Sequence, residues 1–225
     1  MYCRNMNLHA QTEIQKNWWL HWFPANDQST RQKILLAAFK EIHLNGYQAA
    51  SIQNIINQAG VTKGAFYHHF KSKHEMVVAL IDEVYTKYVE NTFINPMQDT
   101  DDPITTLIET LRMVKQQMSD EDVALGCPLD SLAQEMAPID GLIQRKVEQL
   151  YRYKQDTMVA AFKRGQATGK LRQDISAESI SLLIMAALQG GMGIAKSARS
   201  VETLTQCGQG LIHYLEQLRV EKSAR

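Results

Sequence analysis

The sequence predicts an all-α fold in which an N-terminal unit of three short helices precedes a larger helical domain. Apolar residues recur at three- and four-residue intervals through most of the chain, which is the period of an amphipathic helix. The two-residue alternation of a half-buried strand is not seen in any segment. We therefore divide the chain into an N-terminal extension (1–28), the three-helix unit (29–73) and a C-terminal helical domain (74–225). In the last of these we expect a helix from His74 to about Phe93, a loop from Asn95 to Pro103 and a turn at 120–122. A long helix is expected to begin at Pro138 and to reach about Thr168, where Gly169 ends it as a left-handed cap.

The first helix of the three-helix unit is predicted to begin after Ser29 and to stop at Asn45-Gly46. Ser29 and Gln32 have the spacing of a capping box, and Gly46 is the residue type that most often ends a helix. The residues between them place one apolar stripe on the helix, formed by Ile34, Leu35, Ala38, Phe39 and Ile42.

Residues 51–73 have the pattern of two short helices joined by a sharp turn. Ser51 can cap the first helix, and Gly60 supplies the backbone freedom that the turn needs. Phe66 and Phe70 lie one turn apart on the second helix and are expected to be buried. This arrangement is typical of a helix-turn-helix, whose second helix enters the major groove of double-stranded DNA.

The outward side chains of this motif are of the kinds that bind phosphates and base edges. We expect Lys63 to reach base edges, with Thr62 and Ala65 lining the groove. Phosphate oxygens are the expected partners of Ser51, Tyr67, His68 and Lys73. The complete set of predicted DNA-contacting residues is Ser51, Thr62, Lys63, Gly64, Ala65, Tyr67, His68 and Lys73.

Charge is distributed unevenly along the chain. The whole chain has 24 Lys and Arg against 24 Asp and Glu, so its net charge alone gives no sign of a nucleic-acid partner. Residues 29–73, however, contain six bases and one acid, a net charge of +5, which leaves −5 for the rest. A basic head on an acidic body attracts DNA to one end of the molecule. The alternative is the solvated charged face of an ordinary helical domain.

The run from Ala59 to Lys73, AGVTKGAFYHHFKSK, resembles the recognition segment of the tetracycline-repressor (TetR/AcrR) family of bacterial transcription regulators. A weaker similarity lies at 165–174, which resembles the junction between two late helices in that family. Ile56 departs from the small alanine that the family usually has. The resemblance implies a DNA-binding N-terminal domain and a C-terminal sensing and dimerisation domain.

Composition argues against a membrane protein or a secreted protein. No stretch approaches the roughly 20 apolar residues of a membrane span, and the first residues do not form a signal peptide. Three widely spaced cysteines suit a reduced cytoplasm, where we expect the protein to act. Residues 1–28 contain Trp18 and Trp22 on one helical face. We expect these residues to form a docking or membrane-surface helix, or else to be an extension that packs loosely on the body or is partly upstream sequence included by a misplaced start.

The last two helices are predicted to pair with those of a second copy. Gly190, Gly191 and Gly193 each cost about 1 kcal/mol relative to alanine inside a helix, so a close helix–helix approach is expected there. The resemblance implies a homodimer built as a four-helix bundle, whereas the alternative is a core within one protomer. The predicted interface residues are Ile184, Leu188, Gly191, Leu211 and Leu215.

The C-terminal domain is expected to enclose a pocket for an unidentified small-molecule inducer. Methionines and aromatic residues adapt to varied ligand shapes, although such residues also serve as ordinary core. The candidates for the pocket are Met113, Met158 and Phe162.

A second hypothesis concerns Cys127. The run from Gly126 to Glu135 resembles the segment that carries the sensing cysteine in a branch of the family that responds to electrophiles and oxidants. Cys127 precedes the helix that starts at Pro128, and Lys196 lies in a second segment that resembles this branch. A helix N-terminus and a nearby ammonium would both stabilise the thiolate. The alternative is that Cys127 is an inert packing residue.

Catalytic and metal-binding patterns are not recognised, so we predict neither an enzyme nor a bound cofactor or metal. The sequence predicts a one-component DNA-binding transcription regulator, a repressor that a small molecule or a reactive electrophile or oxidant releases from its operator. The alternative is a helical ligand-binding or interaction protein without operator binding.

Overall fold

A computed structural model describes residues 29–220, and the N-terminal extension therefore lies outside the described residues. In this part of the chain the secondary structure is helical, and the one extended pairing is an isolated bridge between Leu171 and Arg219. The helices are α1 (Thr30–Asn45), α2 (Ile52–Ala59), α3 (Lys63–His69), α4 (described below), α5 (Pro103–Gln116), α6 (Asp120–Leu125), α7 (Pro128–Met136), α8 (Gly141–Ala167), α9 (Ala177–Ala198) and α10 (Val201–Glu216).

Helix α4 is longer than the sequence predicted. It consists of the α-helical stretches Lys73–Leu80, Thr86–Val89 and Asn95–Gln98, which alternate with the π-helical turns Ile81–Tyr85 and Glu90–Ile94. The predicted loop from Asn95 to Pro103 is thus wrong for its first four residues. Pro96, which has no N–H to donate, directly follows the π-helical turn Glu90–Ile94.

Two further boundaries differ from the prediction because acidic residues cap helices. The expected turn at 120–122 is helix α6, which a capping box stabilises: the Asp122 N–H donates to Ser119 Oγ (3.2 Å) and the Ser119 N–H donates to Asp122 Oδ2 (2.9 Å). Helix α8 begins at Gly141 rather than at Pro138, because Asp140 Oδ1 accepts from the N–H groups of Leu142 and Ile143. Carboxylates at these positions satisfy unpaired donors and favour the helix dipole.

Two hydrophobic clusters hold the helices together. The first is shared by α1–α4, α6, α7, the N-terminal half of α8 and Ala195 of α9. Within it the rings of Phe39 and Tyr85 lie 5.9 Å apart in an edge-to-face contact. Phe66 and Phe70 are buried in this cluster as predicted, and Ile56, which departs from the family pattern, is buried with them. The three-helix unit therefore packs directly on the helices that follow it.

The second cluster lies between α5, α8, α9 and α10. At the junction after α8 the backbone approaches so closely that a Cβ on Gly165 would lie 2.6 Å from Leu171 Cδ1. Gly169 then takes φ of +70° just beyond the end of α8, as the sequence predicted for a left-handed cap. These two glycines let the chain reverse and bring α9 back along α8.

Candidate functional site

Helix α3 presents a polar surface on the side opposite its buried phenylalanines. The Thr62 side chain caps the helix by accepting from the Ala65 N–H at 3.1 Å. Phe66 packs inward, so the residues on the opposite face of α3 are turned toward solvent. The predicted contact residues that are exposed on this surface are Thr62, Lys63, Gly64, Tyr67 and His68, while Ala65 is half-buried.

The beginning of α2 lies beside this surface. An open depression of about 370 Å³ is lined by Ser51, Lys63, Tyr67 and Lys73, among other residues, so the structure brings together four of the predicted DNA-contacting residues. Ser51 caps α2 by accepting from the Asn54 N–H. The first N–H groups of a helix carry a partial positive charge, and such a depression suits a phosphate group.

Lys73 does not present its ammonium as a free phosphate ligand. Its Nζ donates to the carbonyl oxygens of Tyr47 (2.8 Å), Gln48 (3.1 Å) and Ala50 (2.9 Å) and lies over the Tyr47 ring. An ammonium has three donors, and all three have acceptors here. The prediction that Lys73 binds phosphate is therefore corrected: Lys73 holds residues 46–50, which we call the 46–50 loop.

Glu135 holds the same loop from the other side. Its carboxylate accepts from the N–H groups of Tyr47 (2.7 Å) and Gln48 (2.8 Å). Gly46 has φ of +80°, and a Cβ there would lie 3.0 Å from Glu135 Oε2. The glycine thus both ends α1 and leaves room for the carboxylate. Sequence reasoning missed this contact because Glu135 lies on α7, far along the chain.

Glu41 is a second acid whose role the sequence did not show. It is buried, and it accepts from the Ser51 N–H, Asn54 Nδ2 and Gln58 Nε2. Burial raises the pKa of this carboxyl, but the hydrogen bonds from Asn54, Ser51 and Gln58 outweigh it and leave the pKa below its usual value. An ionised Glu41 therefore fixes α2 against α1.

We expect Lys73→Met to lower the melting temperature, because three carbonyl groups of the 46–50 loop lose their shared donor at once. The loss should be about 1–3 kcal/mol, or several degrees. Lys71→Met is the matched control, since it removes the same charge from an exposed side chain two residues away. Equal melting temperatures for the two variants would contradict the role given to Lys73.

The C-terminal helices enclose a cavity of about 610 Å³. This volume is in the usual range for small-molecule sites. Residues from α4, α5, α7, α8, α9 and α10 form its walls, which are mostly apolar. The α4 wall comes from the segment with π-helical turns, a feature often found at functional sites. Representative apolar wall residues are Tyr88, Phe93, Leu129, Leu188, Met192 and Leu204.

A polar group interrupts the apolar wall where α7 faces α8. The Tyr151 hydroxyl donates to Asp130 Oδ1 at 3.1 Å. Lys154 Nζ lies 3.5 Å from the centre of the Phe93 ring and has no hydrogen-bond acceptor among residues 29–220. Burial lowers the pKa of Lys154 to about 8, although Cys127 and Asp130 act in the opposite direction. The half-buried Lys154 ammonium therefore has no acceptor among the side chains and carbonyls of residues 29–220 and is open to a molecule in the cavity.

The residues predicted to line a ligand pocket lie elsewhere. Met158 and Phe162 are buried in the second hydrophobic cluster and do not border the cavity. Met113 is 44% exposed and does not border the cavity either. The prediction fails for these three residues because helical periodicity identifies a buried face but cannot tell a filled core from an empty space.

Cys127 does border the cavity, but its surroundings differ from those predicted. Burial raises the pKa of the thiol, despite N–H groups of the α7 N-terminus and the nearby Lys154. Lys196 is turned elsewhere: its chain lies against Gly126 and its Nζ is 3.5 Å from Ser131 Oγ. The predicted activation of the Cys127 thiolate by Lys196 is therefore wrong, since the thiol is held neutral and Lys154 is the ammonium that acts on it.

Most of the predicted interface residues are buried within their own protomer and are not available to a second copy. Ile184, Gly191, Leu211 and Leu215 are buried within it, and Leu188 lines the cavity. A Cβ on Gly191 would lie 3.2 Å from Cys207 Cβ, so the close approach at this glycine is between α9 and α10 of one chain. The residue-level prediction of the interface is thus corrected for these five positions.

A different face of α9 remains exposed. Its residues follow the helical repeat and form what we call the α9 stripe: Leu182, Leu183, Ala186, Gly190, Gly193 and Ile194. Gly190 and Gly193 have no atom within 4 Å of a built Cβ, so nothing in the protomer requires a glycine at either position. The cost of two exposed glycines inside a helix is thus unexplained by the protomer alone.

Helix α9 and the metal-ligating side chains of residues 29–220 bear on membrane and metal binding. Contrary to the expectation from the sequence, helix α9 is long and apolar enough to cross a membrane by length and composition, which is weak evidence because core helices share these properties. Its residues Ile180 and Ile184 are packed inside the protomer. Within the same residues, three or more His, Cys, Asp or Glu side chains do not group into a metal site.

Lys154→Met is expected to raise the melting temperature, because it removes an ammonium that burial destabilises. Below pH 8 Lys154 is charged in both the folded and unfolded states, and the penalty is complete. Between pH 8 and about 10.4 the folded state has lost the proton while the unfolded state keeps it, so the parent gains stability as pH rises. The advantage of the variant should be largest below pH 8 and shrink above it. Thermal melts from pH 6.5 to 10 measure this, and a constant difference would contradict it.

Two family profiles match the chain. Residues 34–80 match the N-terminal domain described as "Bacterial regulatory proteins, tetR family", and residues 103–210 match "Transcriptional regulator LmrA/YxaF-like, C-terminal domain". The first match covers α2 and α3 with the depression between them, and the second covers most of the cavity wall.

Individual proteins that are similar to this chain are also described as transcription regulators. An uncharacterised HTH-type transcriptional regulator in the lacX 3′ region of Lactococcus lactis subsp. lactis is 31% identical over 127 residues, which span 56% of this chain and 64% of that protein, slightly less than two thirds of its length. The HTH-type transcriptional repressor DhaR of Mycobacterium sp. (strain GP1) is 23% identical over 72% of this chain and 79% of its own. A TetR transcriptional regulator from Chloroflexus aurantiacus J-10-FL has the same fold, with a TM-score of 0.75, 23% identity and coverage of 86% of this chain and 98% of its own. The chain has a helix-turn-helix and a helical C-terminal domain, and each of these regions matches a profile of the family. It therefore belongs to the TetR family of DNA-binding bacterial transcription regulators.

Proposed function

We propose that this protein is a homodimeric cytoplasmic repressor that a small molecule in the 610 Å³ cavity releases from its operator. The observation that carries the proposal is the position of α7, which forms part of the cavity wall at one end and holds the 46–50 loop at the other. Support for repression comes from relatives such as DhaR, which is named a repressor. A regulator of this family acts where the chromosome is, and this supports the cytoplasmic location.

Helix α7 connects the two regions within nine residues. Cys127, Leu129 and Asp130 face the cavity at its N-terminal end, and Glu135 binds the loop near its C-terminal end. The α6–α7 junction adds another link, since His43 Nε2 of α1 lies 3.0 Å from the Gly126 carbonyl oxygen. A ligand that displaces α7 therefore displaces the contacts that place α1 and α2, and with them the α3 surface.

A dimer is required for the two half-sites that helix-turn-helix proteins read. The α9 stripe supports a symmetric contact between protomers, because Leu182, Leu183 and Ile194 are each at least half exposed and the two glycines allow close helix approach. Ligand binding would then change the separation of the two α3 helices and bias the dimer toward a spacing that does not match the operator.

Specific residues argue against the two alternatives, release by an electrophile or oxidant and a protein without operator binding. Release by an electrophile or oxidant needs a reactive thiolate, and burial holds the Cys127 thiol neutral. A protein without operator binding has no use for the exposed basic face of α3 beside the α2 N-terminus. The reversible small-molecule regulator accounts for both the cavity and this face.

Operator binding tests the proposal directly. In fluorescence anisotropy, the parent should bind the DNA upstream of its own gene more tightly than a scrambled fragment. Lys63→Ala should reduce this discrimination by about 1–3 kcal/mol, because Lys63 is exposed at the start of α3 where base edges are reached. Lys71→Ala should weaken both fragments alike. A parent that fails to distinguish the two fragments would favour the alternative without operator binding.

The α9 stripe has its own test. Ile194→Glu should convert a dimer into a monomer in light scattering at micromolar concentration and lower operator affinity, since a carboxylate cannot be buried unpaired at an interface. Ile139→Glu is the control, because Ile139 is 63% exposed and Ile194 is 59% exposed, but Ile139 lies between α7 and α8. A dimeric Ile194→Glu protein would place the interface elsewhere.

A further inference from the structure

The cavity contains information about the chemistry of its ligand. Its walls are apolar over most of their area, so the body of a bound molecule must be apolar as well. Three polar side chains of the lining, Asp130, Tyr151 and Lys154, lie together between α7 and α8. A ligand that fills the cavity therefore places one polar group in that region.

Hydrogen bonding decides which polar group fits. Asp130 already accepts from the Tyr151 hydroxyl through Oδ1 and from Gln134 Nε2 through Oδ2. Lys154, in contrast, has three donors and no acceptor among residues 29–220, and its Nζ lies over the Phe93 ring. The unmet requirement in the cavity is thus an acceptor, and a charged acceptor satisfies an ammonium best.

The other charges of the cavity lining also favour a negatively charged ligand. Besides Lys154 and Asp130, the lining includes Arg112 and Lys115 of α5 and Glu216 of α10, so bases outnumber acids by three to two when His213 is neutral. The Cys127 thiol is neutral. An added negative charge would bring the lining to balance.

We propose that the cavity binds a small amphipathic anion, whose apolar body lies against Phe93, Leu188 and Met192 and whose acidic group accepts from the Lys154 ammonium. This inference rests on the proposed function, because it names the ligand class of the same site. It explains why α8 places a lysine in an apolar cavity, since the ligand rather than the protein supplies the partner.

Two fluorescent probes test the ligand class with the full-length protein. 8-Anilinonaphthalene-1-sulfonate carries an anionic group, and N-phenyl-1-naphthylamine has the same rings without it. Lys154→Met should weaken binding of the sulfonate about tenfold or more and leave the neutral probe within about twofold. Lys154→Arg should retain the sulfonate. Lys163→Met is the control, because Lys163 lies on the same helix in an exposed ion pair with Glu178.

A pH titration supplies a second readout. Sulfonate affinity in the parent should fall between pH 7 and pH 9.5 as Lys154 loses its proton, and the fall should be absent in Lys154→Met. The titratable and charged groups that face the site are Tyr88 of α4, Arg112 and Lys115 of α5, Cys127 and Asp130 of α7, Tyr151 of α8, and His213 and Glu216 of α10. They are common to both proteins, so the difference between parent and variant isolates Lys154.

The outcomes separate this inference from the proposed function. Equal losses of both probes in Lys154→Met, or no loss of the sulfonate, would overturn the anionic ligand class. Operator release is then measured with each probe. If the neutral probe releases DNA as well as the sulfonate, release by ligand stands and the anion preference fails. If the sulfonate binds through Lys154 without affecting DNA binding, the anion site stands and ligand-controlled release fails.

Discussion

The placement of the DNA-binding surface depends on how the 46–50 loop is held. This loop lies between α1 and the N-terminus of α2, and its backbone groups would otherwise be satisfied by water. The Glu135 carboxylate accepts two of its N–H groups and the Lys73 ammonium donates to three of its carbonyls, so opposite charges hold opposite sides of one short segment. Charge-assisted hydrogen bonds are about twice as strong as neutral ones. The position of α2, and through it of α3, is thus linked to α7 and to the first turn of α4.

The cavity differs from the 46–50 loop, because its Lys154 ammonium has no acceptor among residues 29–220. A protein optimised only for stability would place an apolar side chain at Lys154, because an unpaired charge in an apolar space is costly. The lysine remains beside Phe93, where the ring face offers only partial compensation. Such a site is less stable when empty than when occupied. An anionic ligand that pairs with Lys154 would therefore remove this cost, so that part of the binding free energy comes from pairing the ammonium.

The sequence predicted those features that depend on local patterns. The helix-turn-helix, the burial of Phe66 and Phe70, and the ends of α1 and α8 all follow from periodicity and capping residues close in the chain. Features that join distant segments were missed or assigned wrongly. Lys73 looked like a phosphate ligand because its carbonyl partners are more than 20 residues away, and Glu135 gave no sign of its contact with Tyr47. Met158 and Phe162 were expected in a pocket because a hydrophobic stripe does not show whether the space beside it is filled.

In the proposed function, the stiffness of α7 couples the cavity to the DNA-binding surface. A helix of nine residues transmits a displacement along its length, because compressing it would break its own hydrogen bonds. The two bonds at Glu135 are 2.7 and 2.8 Å long, so a shift of about 1 Å takes both beyond the normal hydrogen-bond range. Under the proposed function, a ligand that displaces α7 would break both bonds between Glu135 and the 46–50 loop and so weaken DNA binding. By thermodynamic reciprocity, bound DNA would then weaken ligand affinity by the same factor. Such a regulator binds its ligand most tightly when it is off the operator, and its release from DNA is complete only when the ligand's preference for the displaced α7 exceeds the preference of DNA for the undisplaced one.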